Sequence, residues 1–203
     1  MFSFKTTHIT LAAGAAALSL SACSTMMDAG ADAEMAGQSA SAGGTVMVGG
    51  APMYPSKTIV QNAVNSRDHT TLVAAVKAAG LVDTLSGAGP FTVFAPTNAA
   101  FERLPAGTVQ TLLRPENKTM LQTVLTYHVV SGRLTAADLM QRIRAGGGQA
   151  RLTTVQGGQL TARMMGNRIM LMDAKGGMAH VVQGDVMQSN GVIHVTDAVS
   201  LPG

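Results

Sequence analysis

The sequence is poor in the residues on which several classes of protein depend. Among its 203 residues there is one Cys and no Trp, and the aromatic residues are five Phe and two Tyr. One Cys cannot build a disulfide framework or a multi-cysteine metal cluster within a single chain. Charged residues make up 12%, the net charge is +3, and Lys and Arg form no run. We therefore expect no nucleic-acid binding through a basic stripe with stacking rings.

Apolar residues, by contrast, are plentiful. They account for 46% of the chain and include 14 Met, which is enough for a hydrophobic core. A unit of about 150 residues hides roughly 70% of its unfolded surface, so such a core can be self-sufficient. The length predicts one domain with appendages.

The N-terminal residues have the pattern of an export signal. Lys5 precedes a 12-residue apolar run over 9–20, which is too short to span a bilayer of about 30 Å as a helix. The run leads into Leu20-Ser21-Ala22-Cys23, which resembles the bacterial lipobox. That resemblance implies a lipid on the Cys23 sulfur, and Ser24 in the next position favours the outer membrane. The alternative is a secreted protein with an incidental Cys.

Composition divides the remaining chain into a tether and a folded part. Half of the 32 residues from 24 to 55 are Gly, Ala or Ser, and no apolar period persists there, which predicts a flexible linker. The predicted organisation is a signal peptide over 1–22, a lipidated Cys and flexible linker over 23–55, and a folded domain over 56–203.

The folded part changes character along its length. Helical periodicity is found at 59–64, from Thr70 to near Gly80, and after Pro115. Patterns typical of strands are found at 91–95, 151–155, 159–163, 168–172, 179–183 and 191–195. Helices followed by a meander predict an α+β fold with an antiparallel sheet or sandwich. Phe91, Val93 and Ala95 are expected to face the core, Asn98 to cap a short helix, and Asn190-Gly191 to form a tight turn with positive φ.

Three segments, in order, resemble the signatures of fasciclin-like domains. They are Phe91–Phe101, the pair Tyr127-His128, and Asn190–Val195. The resemblance runs from about 57 to 202 and implies a wedge-shaped β-sandwich with a helical layer. In its single-domain bacterial lipoprotein form, the family also implies a role in cell adhesion.

Two His residues lie in apolar surroundings. His128 and His194 could form a metal or acid–base pair, or they could be hydrogen-bonded inside the fold. Tyr127 precedes His128 and would point to the opposite side of a strand. The sequence contains no G-x-S-x-G, no H-E-x-x-H and no phosphate loop, so we predict no catalytic residues, no enzyme and no cofactor.

Methionines concentrate in one part of the domain. Soft thioether and imidazole ligands suit Cu(I), whereas Met also fills irregular cores. The candidate ligands of the copper-binding alternative are Met164, Met165, Met170, Met172 and His180.

A further candidate site follows from the family resemblance. In adhesion members an Asp-Ile pair before the last signature contributes to integrin recognition, and Asp185-Val186 occupies that place here, although Gln183-Gly184 replaces the preceding Glu-Pro. Tyr127, His128, Asp185 and Val186 are thus the candidate interaction residues.

The leading hypothesis is a lipoprotein of the cell envelope. Lipid on Cys23 would hold it at a membrane, in the outer membrane facing the periplasm or the cell surface. The domain would contact an envelope or matrix protein or polymer. A periplasmic Met/His copper or redox-stress protein is the alternative.

Overall fold

The computed structural model describes residues 44–203. The predicted signal peptide, Cys23 and the first part of the predicted linker lie outside the described residues. The strands are β1 Val46–Val48, β2 Ala51–Met53, β3 Phe91–Pro96, β4 Val129–Ser131, β5 Gln149–Thr153, β6 Gln159–Met165, β7 Arg168–Met172, β8 Met178–Gln188 and β9 Gly191–Thr196. The helices are α1 Ile59–Ala63, α2 Thr70–Ala79, α3 Val82–Ser86, α4 Asn98–Glu102, α5 Thr108–Leu112, α6 Lys118–Tyr127 and α7 Ala136–Ala145.

Seven strands form one sheet in the order β4-β3-β9-β8-β7-β6-β5. The predicted α+β class is confirmed, but the sheet is mixed because β3 and β9 are parallel, with Phe94 opposite His194. Parallel neighbours need a long crossover connection, and here nearly a hundred residues separate the two strands. Nearly all residues of β3 and β9 are buried, as parallel strands usually are.

The sheet curls until its two edges meet. Val130 in the edge strand β4 forms an isolated bridge with Thr154, just beyond the other edge strand β5. The amide of Val155 donates to the carbonyl of Val129 at 2.7 Å. This contact covers part of both edges, which would otherwise present unpaired backbone groups.

Strand β8 connects the two halves of the curled sheet. Its first residues, Met178 to His180, pair with β7, whereas Val181 to Gln188 pair with β9. The register with β9 shifts twice between Val181 and Val186, and Asp185 within this stretch has a φ of 56°. Irregularities of this kind bend a strand and increase its twist.

The core has two parts, one on each side of the strands β3 and β9. The first core lies between these strands and helices α1, α2 and α6, and it includes Val93, Ala95, Ile193 and Val195. The inner core lies inside the curled sheet under α7, and it includes Phe94, Tyr127, Leu139, Leu160 and Leu171. The prediction that Val93 and Ala95 face a core is confirmed, with 6% and 3% exposure.

Asn98, which the sequence predicts as a helix cap, has another role. Thr97, not Asn98, caps α4 by accepting from the amide of Ala100. The Asn98 amide group instead accepts from the amide of Thr71 at 3.0 Å and donates to the carbonyl of Arg67 at 2.8 Å. Asn98 therefore joins the start of α2 to α4.

The Asn190-Gly191 pair has no positive φ. Asn190 is buried and accepts from the amide of Ile59 at 3.0 Å while donating to the carbonyl of Leu85 at 2.8 Å. A Cβ on Gly191 would overlap the carbonyl oxygen of Phe91. The glycine is thus required by the close approach of β9 to β3, not by the turn geometry that we expected.

The last residues of the predicted linker are part of the fold. β1 and β2 form a hairpin whose turn residues Gly49 and Gly50 have φ of 57° and 73°, as a type I′ turn requires. Val48 and Met53 are 5% and 2% exposed in the first core. The linker boundary at 55 is therefore too late. Two three-residue strands are too short to show a period in the sequence.

The described helices are short. The longest have ten residues, and no helix within 44–203 is long and apolar enough to cross a membrane.

We predict that the hairpin stabilises the domain. A chain that begins at residue 56 should have a lower free energy of unfolding than one that begins at residue 44, by about 3 kcal/mol or more, because burying a Val or Met side chain contributes about 1.5–3 kcal/mol. Urea denaturation of the two chains measures the difference. Equal midpoints and slopes would contradict a structural role for the hairpin.

Candidate functional site

His194, a candidate for metal or acid–base chemistry, has both ring nitrogens occupied within the fold. Its ring is 0% exposed and stacks on Phe94 at a centroid distance of 5.6 Å. Nε2 lies 2.7 Å from the carbonyl oxygen of Leu134, to which it donates. Nδ1 accepts from the amide of Asp185 at 3.4 Å. This pattern requires a neutral ring with its proton on Nε2.

His128 has the opposite tautomer. Nδ1 donates to the carbonyl of Val124 at 2.8 Å, and Nε2 accepts from the amide of Ser200 at 3.0 Å. Desolvation by burial lowers the pKa of both His128 and His194 below the ordinary value of 6.5, which keeps the rings neutral. Neither ring has a free nitrogen for a metal or a substrate, so the interpretation as histidines hydrogen-bonded inside the fold accounts for both.

Tyr127 is buried together with its neighbour His128. The expectation that the two rings lie on opposite sides of a strand is wrong, because Tyr127 ends helix α6 and His128 is its C-terminal cap. The Tyr127 hydroxyl donates to the carbonyl of Gln159 at 2.7 Å and accepts from the amide of Ala174 at 3.1 Å. With 1% and 4% exposure, Tyr127 and His128 offer no surface to a partner.

Asp185 and Val186 also make their contacts within the fold. The Asp185 carboxylate accepts from the amide of Ala136 at 2.7 Å, at the start of α7, where a negative charge favours the helix. Val186 is 1% exposed and belongs to the first core. The position that corresponds to the Asp-Ile pair of adhesion members therefore fastens the irregular part of β8 to α7.

The strand register separates the candidate metal ligands by face. Ile169 and Leu171 face the inner core, and Met164 is the direct partner of Ile169, so Met164 shares that side of the sheet. Met165, Met170, Met172 and His180 lie on the outer face. Met178 belongs to the methionine-rich part of the sequence but not to the candidate ligand set, and it joins them as the direct partner of Met172.

The outer face of β5, β6, β7 and β8 combines exposed cations with exposed apolar side chains, and we call it the outer sheet face. It carries the exposed cations Arg151, Arg163 and Arg168. Met165, Met178 and Val182 are 53%, 56% and 51% exposed there. None of the outward-facing residues of these four strands is Asp or Glu, which leaves the surface positive as well as apolar. Such surfaces are typical of interaction sites.

Asp197 lies at the border of the outer sheet face and is not among the site residues predicted from the sequence. Its carboxylate accepts from the amide of His180 at 2.7 Å and lies 3.3 Å from the Nδ1 of the same ring. Arg103 is 3.8 Å from this carboxylate. Because 17 residues separate Asp197 from His180, only the folded sheet brings them together. The alternation of Arg151, Thr153 and Arg163 with buried neighbours could have indicated the face itself.

Comparison with known proteins supports a single assignment for the fold. The family model of the Fasciclin domain matches residues 67–202. Protein sll1483 of Synechocystis sp. is 49% identical over 145 residues, which cover 71% of this chain and 73% of that protein.

A mycobacterial relative and a solved structure extend the comparison. The cell surface glycolipoprotein MPB83 of Mycobacterium bovis is 38% identical over 122 residues, covering 60% of this chain and 48% of the relative, so the match spans about half of its length. The structure of a FAS1 domain pair from the insect cell adhesion molecule Fasciclin I superposes with a TM-score of 0.64 at 18% identity. That match covers 70% of this chain and 50% of the other, and it shows a shared fold.

The buried histidines predict a pH dependence of stability. Burial lowers the pKa of His128 and His194, and also that of His69, a buried residue directly before α2. Below about pH 6.5 the unfolded chain therefore binds more protons than the folded one. The free energy of unfolding should therefore fall from about pH 7.5 to pH 5.5, by up to about 1.4 kcal/mol per pH unit for each histidine.

Urea denaturation at a series of pH values measures this slope. Carboxylates titrate near pH 4 and contribute little in this window. His194→Gln should have a smaller slope than the unchanged protein. A free energy that stays level between about pH 7.5 and pH 5.5 would show that the rings are not held neutral.

Proposed function

The chain belongs to the fasciclin domain family, and we propose that it is a non-catalytic envelope lipoprotein that presents this domain for contact with another protein or a matrix polymer. Lipid on Cys23 anchors the chain, and the residues that follow act as a tether. The outer sheet face is the contact surface. The observation that carries this assignment is the concentration of exposed Arg and Met side chains on one face of a family fold in which His128 and His194 are both engaged internally.

The anchor is supported by sequence and by a relative. A short apolar run ends in Leu20-Ser21-Ala22-Cys23, and a thioether to lipid needs the nucleophilic sulfur of the Cys. A fully acylated Cys carries more than one chain, which suffices for stable anchoring. The relative MPB83 is named a cell surface glycolipoprotein. We infer a location in the envelope, in the outer membrane facing the periplasm or the surface.

The absence of catalysis is supported by the state of the polar interior. A general base must reach its proton with a free lone pair, and the neutral rings of His128 and His194 use their lone pairs to accept from the amides of Ser200 and Asp185. The N–H group of each ring donates a hydrogen bond to a backbone carbonyl. These contacts stabilise the fold, and they keep His128 and His194 from acting as an acid–base pair.

The contact surface is supported by charge and exposure. Three arginines on adjacent strands, together with exposed methionines, provide both electrostatic attraction and apolar area. Arg and Met are enriched in protein interfaces, and a positive surface raises the rate of encounter with an anionic partner. Adhesion is the function named for the insect protein that shares the fold.

We predict that Cys23→Ala releases the protein from membranes. Without the sulfur no lipid can be attached, so the variant should appear in the soluble fraction of the cell extract or in the medium. Fractionation with detection of the protein, and labelling with a fatty acid analogue, measure both effects. A Cys23→Ala variant that remains in the membrane fraction and is still labelled would contradict anchoring at this residue.

We predict that the arginines of the outer sheet face are needed for contact. In the triple variant Arg151→Glu, Arg163→Glu, Arg168→Glu, the partners crosslinked in intact cells and recovered with the protein should be lost, because the face becomes negative. The side chains of all three arginines are exposed, so the fold should tolerate the change.

A matched control has the same change of charge on the helical layer. Lys77→Glu, Arg114→Glu, Lys118→Glu replaces three exposed cations of α2, α6 and the segment before it, and it should keep the crosslinked partners. Equal recovery of partners by both triple variants would contradict contact through the outer sheet face. Deletion of the gene should also reduce surface attachment, and unchanged attachment would argue against adhesion.

A further inference from the structure

Four side chains with soft or imidazole ligand atoms meet on the outer sheet face. Met170 in β7 is the direct partner of His180 in β8, and Met172 is the direct partner of Met178. Direct partners have Cβ atoms about 4.5–5.5 Å apart, and alternate residues of a strand point to the same side. The four side chains therefore form a compact square on one side of two adjacent strands.

The ring of His180 is oriented as a ligand. Nδ1 lies 3.3 Å from a carboxylate oxygen of Asp197, and the backbone fixes the pair, since the Asp197 amide donates to the carbonyl of His180 at 3.1 Å. A proton on Nδ1 shared with the carboxylate leaves the lone pair on Nε2. Histidines that bind metals usually have their second nitrogen held in this way.

The four side chains of the square differ in how far they are exposed to solvent. Met170 is 7% exposed and Met178 is 56% exposed, with Met172 and His180 half-buried between these limits. Met170 is buried although it lies on the outer face and belongs to neither of the two parts of the core. Methionine has three rotatable bonds, which allow the sulfur atoms to converge on one point.

We propose that Met170, Met172, Met178 and His180 form a binding site for one soft monovalent metal ion, Cu(I) or Ag(I). Thioether and imidazole ligands select soft ions. Within residues 44–203 no three His, Cys, Asp or Glu side chains gather to hold a metal, so this site does not suit Zn²⁺ or harder ions.

Charge around the site fits a monovalent ion. Three neutral thioethers and a neutral imidazole do not compensate a second positive charge on the ion. Arg163 in β6, the direct partner of Met170 on the same face, adds a further positive charge nearby. The Arg163 guanidinium donates to Gln149 at 2.7 Å on the neighbouring strand. The Asp197 carboxylate contributes the nearby negative charge, although Arg103 shares it.

Silver titration of the full chain tests the site, because Ag(I) mimics Cu(I) without oxidation. The protein carries Cys23→Ala so that the thiol does not compete, and its methionine methyl groups are labelled with ¹³C. One equivalent of Ag(I) should shift the methyl signals of Met170, Met172 and Met178 together with the ring signals of His180. Shifts confined to other methionines, or no shifts, would overturn the proposal.

Matched variants distinguish the site from general thioether binding. Met172→Leu, Met178→Leu should weaken Ag(I) binding at least tenfold, whereas Met164→Leu, which changes the side of the sheet opposite to the site, should leave the affinity unchanged. Circular dichroism checks that each variant is folded. If the double variant does not fold, Met178→Leu alone, at the most exposed ligand, replaces it in the measurement. Equal losses in Met178→Leu and Met164→Leu would contradict the site.

Asp197 is a positioning residue in this proposal. Asp197→Asn should keep the site but lower the Ag(I) affinity about 10–100-fold, the usual effect of losing an outer-shell partner, and the His180 ring signals should report the altered tautomer. An affinity equal to that of the unchanged protein would remove Asp197 from the site. The arginine variant of the outer sheet face keeps all four ligands and should still bind one equivalent of Ag(I), so this inference stands or falls separately from the proposed contact function.

Discussion

Two neutral imidazole rings join the segments on which this fold depends. His194 connects the last strand to the loop before α7 and to the irregular part of β8. His128 connects the end of α6 to the C-terminal segment at Ser200. A neutral imidazole is a donor and an acceptor at once, so each ring satisfies two buried backbone groups that would otherwise cost free energy. Protonation would remove the acceptor and place a charge in the core.

The rest of the domain is divided in the same way, between an interior whose polar groups bond to each other and an outer face that is exposed. The curled sheet encloses one core on its inner side and leaves the outer faces of β5 to β8 exposed. Residues that carry polar chemistry inside, such as Tyr127 and Asp185, fasten loops and helix ends. The outer sheet face carries cations and methionines, and the pairing of β8 with β9 at Val181 and Thr196 places Asp197 beside His180. The proposed contact function therefore depends on the outer sheet face and not on the fold as such.

The sequence predicted the regular elements better than the roles of single residues. Strand 168–172 and helix 70–79 agree with the structure because their periods extend over a full element. The N-terminal hairpin was missed since neither strand has more than three residues. Asn98, Asn190 and Gly191 were assigned local roles, whereas their partners are Thr71, Ile59 and Phe91, far away in the chain. The pairing of His180 with Asp197 and the place of Met178 follow only from the strand register. Local patterns cannot carry such information, because the fold alone creates these contacts.

The polar groups of the interior hold the fold together, and the rings of His128 and His194 stay neutral. The decisive measurement is ¹⁵N NMR of the imidazole groups in the folded protein. We expect an Nδ1–H tautomer for His128 and an Nε2–H tautomer for His194, both unchanged between about pH 7.5 and pH 5.5. Titration of either ring near its ordinary pKa, or the opposite tautomer, would contradict this expectation.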